Sequence, residues 1–248
     1  MKKSRNHFTI LFSLLTLPIF SSATLNKEIE TKREQYGIKE TLFDGGATDK
    51  WVWHHDKSEC KWPVVNGALE VLPVEGHVKE GDGSIITKES YEDFYLHLEF
   101  KPNETPKDLR EQGRGNSGVM LQDRYEIQVL DSYEHRLHGR NDCAAFYGLK
   151  DADINAAKPT DQWQSYDIFF TSARWDGQQK VTNARATVYW NGVLVHNDVE
   201  LKMNTKFTTP EGPTPGPIRL QEHANPVQYR NIWIARKSLL ENQPDPQK

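Results

Sequence analysis

Apolar and polar residues alternate with a period of two through much of this chain. Phe94, Leu96, Leu98 and Phe100 interleave with Tyr95, His97 and Glu99. Successive side chains of a strand point to opposite faces, so this run predicts a half-buried strand. Further strands are predicted at 41–43, which runs into the turn Asp44-Gly45-Gly46, and at 64–71, 84–87, 166–171, 184–190 and 232–236. Asn66-Gly67 and Asn191-Gly192 are hairpin signals, because both residues tolerate the left-handed backbone of a tight turn. Many short strands joined by such turns, with no alternating helical runs, predict an all-β sandwich of two antiparallel sheets.

The richest stretch for chemistry is 116–131. It reads as two short strands with a tight link near Asp123. Along the second strand, Glu126 and Gln128 share one face, and Tyr125, Ile127 and Val129 share the other. A bulge after Val129 would bring Asp131 onto the face of Glu126 and create a carboxylate pair. Asp131 also suits a turn cap, and Gln128 a cross-strand polar pair. In 219–223, alternation sets Arg219, Gln221 and His223 opposite Leu220 and Glu222. On the 132–142 loop, Glu134, His135 and His138 have a spacing that can hold a divalent ion, though they do not complete a zinc motif. The other reading is a solvated polar loop.

Residues 1–23 carry a basic leader, an apolar stretch from Phe8 to Phe20 and small residues up to Ala23. This is the pattern of a secretory signal peptide, with cleavage expected near Ala23 and export to the periplasm or beyond. The apolar stretch is short for a bilayer span of about 20 residues, so no transmembrane segment is expected. Residues 24–40 are polar and suit a short helix or a loose arm. Residues 41–237 suit one sandwich domain, and 238–248 a frayed tail. With a formal charge of −4, no basic stripe and no zinc-finger spacing, nothing favours a nucleic-acid partner, and none is expected. Seven Trp, nine Tyr and ten Phe are enough for both a core and a sugar-stacking cleft. Export would permit a disulfide between the two cysteines, Cys60 and Cys143. The long loops 132–142, 148–162 and 202–216 are where a sandwich commonly builds a binding site.

An ordered set of short motifs adds a resemblance. Phe43-Asp44-Gly45, Asn116-Ser117-Gly118-Val119, the run 126–131, Trp190-Asn191-Gly192, the run 218–223 and Tyr229-Arg230-Asn231-Ile232 together resemble the 3-keto-disaccharide hydrolase family. The resemblance spans roughly 40–237. It implies a concanavalin A-like jelly roll and cleavage of glycosides whose sugar is oxidised at C3. The 126–131 run also resembles the catalytic strand of laminarinase-like glycoside hydrolases, except that Gln128 replaces the central acid. An amide cannot act as a carboxylate base, so an ordinary retaining mechanism is not implied.

A C3 carbonyl acidifies the C2 hydrogen, so the reaction needs a base, an acid for the glycosidic oxygen and support for an enolate. Glu126, Asp131 and His223 are the candidates for proton transfer, with Glu126 favoured as base. Gln128, Arg219, Gln221, Arg230, Asn116 and Tyr147 are candidates for holding a carbohydrate substrate. Arg219 and Arg230 serve equally well as ion-pair partners of nearby carboxylates. A divalent metal on Glu134, His135 and His138, joined by Glu126 or His223, would polarise the ketone. A non-catalytic carbohydrate-binding module is the main alternative.

Overall fold

A computed structural model describes residues 22–72, 83–103, 111–137 and 139–238. The leader, apart from its last two residues, lies outside this set, as do His138 and nearly all of the tail. The larger sheet contains β1 (Glu40–Phe43), β3 (Val64–Val65), β4 (Ala68–Glu70), β6 (Phe94–Lys101), β9 (Gln164–Thr171), β12 (Ala184–Trp190), β13 (Val193–Leu201) and β15 (Gln228–Arg236). Its spatial order is β13-β12-β9-β6-β15-β4-β3, and β1 pairs with the far half of β15. The smaller sheet contains β2 (Trp51–Trp53), β5 (Ile85–Thr87), β7 (Ser117–Leu121), β8 (Tyr125–Val129) and β14 (Arg219–Leu220), in the order β2-β5-β14-β7-β8. Strand pairs in both sheets are antiparallel, and the architecture is the jelly-roll sandwich expected. A separate hairpin, β10 (Arg174–Asp176) with β11 (Gln179–Thr182), lies outside both sheets and was not among the expected strands.

The two inner faces meet in one core. Leu96, Leu98, Phe100, Ile168 and Phe170 of the larger sheet join a cluster with Ile85, Val119, Leu121, Ile127, Val129 and Leu220 of the smaller. Each such side chain contributes about 1.5–3 kcal/mol of burial, which specifies strand register, because a one-residue slip would expose the whole set. The two Asn-Gly turns take the expected form. Asn66 and Gly67 have φ of 51° and 74°, and Asn191 and Gly192 have 52° and 78°.

Two expectations change. Tyr95 lies on the outward face of β6, yet it is buried. Helix α1 (Ser22–Arg33) lays Ile29 on that face, where Tyr36, Tyr95, Phe169, Tyr189 and Trp233 form a second, smaller core. The 94–100 strand is therefore covered on both faces at this end. The cysteines are both free thiols, so the disulfide does not form. Cys143 is directed into the main core, where its sulfur lies 3.3 Å from the Tyr166 hydroxyl and accepts the Leu130 N–H at 3.4 Å. Burial pushes its thiol up to about 11. No helix among the described residues is long and apolar enough to cross a membrane.

Candidate functional site

The site is built on the outward face of the smaller sheet. β7 and β8 form a tight hairpin through Gln122 and Asp123, which adopt left-handed φ of 55° and 57°. In this register Gly118 lies opposite Gln128, and Met120 opposite Glu126. Val119 and Ile127 face the core, so Glu126 and Gln128 face outward. The chain beyond β14 stays alongside β7, with the Gln221 N–H donating to the Gly118 carbonyl at 2.9 Å. That bond sets Gln221 next to Gly118 and brings His223 to the rim. On the free side of β8, residues 144–147 continue the hydrogen-bond ladder. Gln128 N–H donates to Ala145 O at 2.9 Å, and Tyr147 N–H to Glu126 O at 3.1 Å.

A narrow cleft of about 10 Å³ results, lined by Gln112, Asn116, Glu126, Gln128, Tyr147, Phe207, Gln221 and His223. Beside it is a cavity of about 450 Å³ lined by Arg140, Asn141, Tyr147, Gly148, Lys206 and Phe207. Tyr147 and Phe207 form walls of both.

Glu126 is buried, and its position depends on the residue opposite. A Cβ at Gly118 would lie 2.5 Å from Glu126 Oε1 and 3.2 Å from Gln221 Oε1. The glycine thus leaves the space that the carboxylate fills, and draws Glu126 and Gln221 to one spot. Two buried acceptors here, Asn116 Oδ1 and Gln221 Oε1, find no hydrogen-bond donor among the described residues. Buried acceptors without a donor are costly, and the space of about 10 Å³ beside them admits roughly one water molecule or one hydroxyl group. Gln128 is occupied: its amide donates to Gln112 Oε1 at 2.9 Å, and its own oxygen accepts the Val129 N–H at 3.0 Å. It lines the cleft as a polar brace.

Of the expected catalytic and substrate-binding residues, Glu126, His223, Gln128, Gln221, Asn116 and Tyr147 converge here. Asp131, Arg219 and Arg230 do not line the cleft. β8 ends at Val129, and the Asp131 N–H turns to the Arg114 carbonyl at 2.8 Å, so Asp131 has left the ladder that carries Glu126. The Asp131 carboxylate accepts the Tyr133 N–H and the Thr160 hydroxyl, each at 3.3 Å, and so caps a turn. Arg219 shares the outward face, but its side chain runs beneath the hairpin turn, with Nε 3.0 Å from Asp123 Oδ1. Burial raises the Asp123 carboxyl, but the His54 hydrogen bond, the Arg219 charge and the Thr209 hydroxyl outweigh it and hold the group below the usual range. Arg219 Nη2 also donates to the Phe207 carbonyl at 3.3 Å, which ties this buried pair to the cleft wall. Arg230 belongs to the other sheet, where it bonds Glu99 at 2.7 Å and lies 4.0 Å from the Trp163 ring centre.

The proposed metal ligands Glu134 and His135 sit on an exposed turn outside the cleft, and His138 lies outside the described residues. No group of three or more His, Cys, Asp or Glu side chains placed to hold a metal ion occurs among the described residues.

Sequence reasoning missed Gln112 and Phe207. Gln112 comes from the short 3-10 turn Glu111–Gly113 and carries no local signal. Phe207 had one: it is the single aromatic residue in the polar loop 202–216. It is 71% exposed and has a left-handed φ of 62°. The hairpin turn holds that loop in place, since Arg124 O accepts the Thr205 N–H and Asp123 O accepts the Thr209 N–H, at 2.9 and 2.8 Å. An exposed aromatic on a pinned loop beside a cleft suits a sugar ring better than a core.

Comparisons with known proteins bear on the family and the fold. Residues 39–235 match the family described as 3-keto-alpha-glucoside-1,2-lyase-like domain. A Parabacteroides distasonis ATCC 8503 protein of known crystal structure, provisionally described as a glycosyl hydrolase, is 31% identical, with a TM-score of 0.70 over 80% of this chain and 83% of that one. Another crystal structure from the same organism, with the same provisional assignment, has 24% identity and a TM-score of 0.53 over 81% of this chain and 100% of its own, and it supports the fold alone. Comparison with curated proteins returned no match.

Proposed function

The chain belongs to the 3-keto-alpha-glucoside-1,2-lyase-like domain family, and from that premise we propose that it cleaves glycosides oxidised at C3. The observation that carries this reading is the convergence of Glu126 and His223 on one cleft beside two unpartnered acceptors.

In the proposed reaction the C3 carbonyl acidifies the C2 hydrogen, and Glu126 removes that proton. The C2–H electron pair forms the C1–C2 double bond of the oxidised sugar as the C1–O bond breaks. That bond's electrons leave on the glycosidic oxygen, which takes a proton from His223. Water can then add back at C1, which turns elimination into net hydrolysis. A single sugar hydroxyl entering the narrow cleft would meet Asn116 and Gln221, while the ring itself lies at the mouth beside Tyr147 and Phe207. The Glu126 position on a paired strand favours it as base, because a strand holds a side chain more rigidly than a loop. The leader pattern of 1–23 supports a site of action outside the cytoplasm, which the N-terminal mass of the exported protein would test.

The deciding experiment incubates the protein with a 3-keto glucoside and with the matching unoxidised glucoside. Consumption of the oxidised compound alone is expected. Consumption of the plain glucoside would point to ordinary glycoside hydrolysis. Binding of both without turnover would make the protein a carbohydrate-binding module.

A further inference from the structure

The cavity beside the cleft carries a charge pattern for which the proposed reaction has no use. Among the described residues, this cavity of about 450 Å³ is lined by two cations, Arg140 and Lys206, and by no carboxylate. The whole chain has a formal charge of −4, so this wall runs against the average. The cations arrive from separate segments, and each segment is anchored. Gly148 N–H donates to the Arg140 carbonyl at 2.5 Å, and the Gln112 amide to the Asn141 carbonyl at 2.7 Å. Lys206 lies between Thr205, whose N–H bonds Arg124 O, and Phe207, whose carbonyl accepts from Arg219. Neither cation forms an ion pair with a described residue. Two anchored cations with no counter-charge among the described residues, facing one cavity, make a site for an anion.

Building on the 3-keto glycoside reading, we propose that this cavity holds the leaving group of the substrate, and that the leaving group bears a carboxylate or a sulfate. The oxidised ring is neutral, and one of its hydroxyls suits the unpartnered acceptors of the narrow cleft. The cations lie past the shared walls of Tyr147 and Phe207, where the group beyond the scissile bond would extend. Both cations are exposed at the cavity mouth, so salt screens their attraction and its effect is moderate.

The test uses the full chain and three 3-keto glucosides of one alcohol: the neutral parent, a carboxylated form and a sulfated form. The anionic substrates should show a KM lower by about tenfold with kcat little changed, and the gap should close at high ionic strength. The Arg140→Gln, Lys206→Gln double variant should erase the gap and leave the neutral substrate unaffected. A lower KM for only one anionic form would identify which anion the cavity accepts. Equal KM for neutral and anionic substrates would overturn the inference. So would a double variant that lowers kcat for all three alike, since that assigns the cations to the enolate. If no 3-keto glucoside is consumed, the reaction itself fails, and calorimetry with methyl glucuronide against methyl glucoside judges the cavity separately. Tighter binding of the glucuronide, lost in the double variant, supports an anion site, and equal binding refutes it.

Discussion

Replacing Gly118 with Ala separates stability from catalysis at one position. The new Cβ would lie 2.5 Å from Glu126 Oε1, whereas ordinary contact begins near 3.4 Å, so the oxygen must retreat by about 0.9 Å. Glu126 Cγ at 3.1 Å and Gln221 Oε1 at 3.2 Å must also give slightly. All three atoms belong to side chains, so the backbone ladder between β7 and β8 is untouched. Pushing one side chain off its rotamer costs about 0.5–1.5 kcal/mol. The alanine recovers about 0.4–1 kcal/mol by restricting the unfolded chain. The two effects nearly cancel, and the melting temperature should move by no more than about 5 °C. A base displaced by about 1 Å loses about a hundredfold in rate, or about 2.7 kcal/mol of transition-state stabilisation. Thermal unfolding and kcat/KM on a 3-keto glucoside measure the two quantities on the same preparation. A folded G118A protein with turnover within about threefold of the parent would refute the placement of Glu126 as the working base.

Glu126→Gln should lower kcat by about 10²–10⁴ without loss of fold, whereas Asp131→Asn should keep turnover within about threefold and cost about 1 kcal/mol of stability; steady-state kinetics and urea unfolding of the pair decide between the two carboxylates. Arg219→Met leaves the buried Asp123 carboxylate without its ion pair and should cost about 3–5 kcal/mol in urea unfolding, with a rise in KM as Phe207 loses its anchor; an unchanged unfolding midpoint would dismiss the pair as a support. His196 is fully buried, with Nε2 2.7 Å from the Ala144 carbonyl, and burial lowers its pKa from 6.5 to about 4. The unfolded chain takes up the proton first as pH falls, so this contribution is complete above about 6.5 and falls by about 3 kcal/mol towards pH 4. The stability difference between the parent and His196→Gln, followed by urea unfolding, should therefore shrink across that window, and a difference independent of pH would refute the assignment.

Much of the site was legible because a strand shows its two faces at a period of two. Glu126 and Gln128 separated correctly from Tyr125, Ile127 and Val129, and Gln221 and His223 followed the same rule. Arg219 obeyed it too, yet its side chain is committed to Asp123 beneath the hairpin, a partner from a different strand pair that alternation along 219–223 cannot reveal. Asp131 was misplaced for a related reason. Whether a strand bulges or ends after Val129 depends on where the Arg114 carbonyl lies, and Arg114 reaches that point through tertiary packing. Tyr95 was assigned to an open face that a helix from the start of the chain covers.

What the amino-acid order determined by itself was local: which residues face the same way along a strand, and where Asn-Gly steps can turn the chain. These follow from backbone geometry within a few residues. The folded molecule alone decided which outward polar groups meet in one cleft and which are spent as ion pairs or caps, and it alone brought Gln112 and Phe207 to its walls and Arg140 and Lys206 to the cavity beside it. Those meetings join distant segments, and the packing of two sheets and their loops selects them, since no spacing along the chain encodes them.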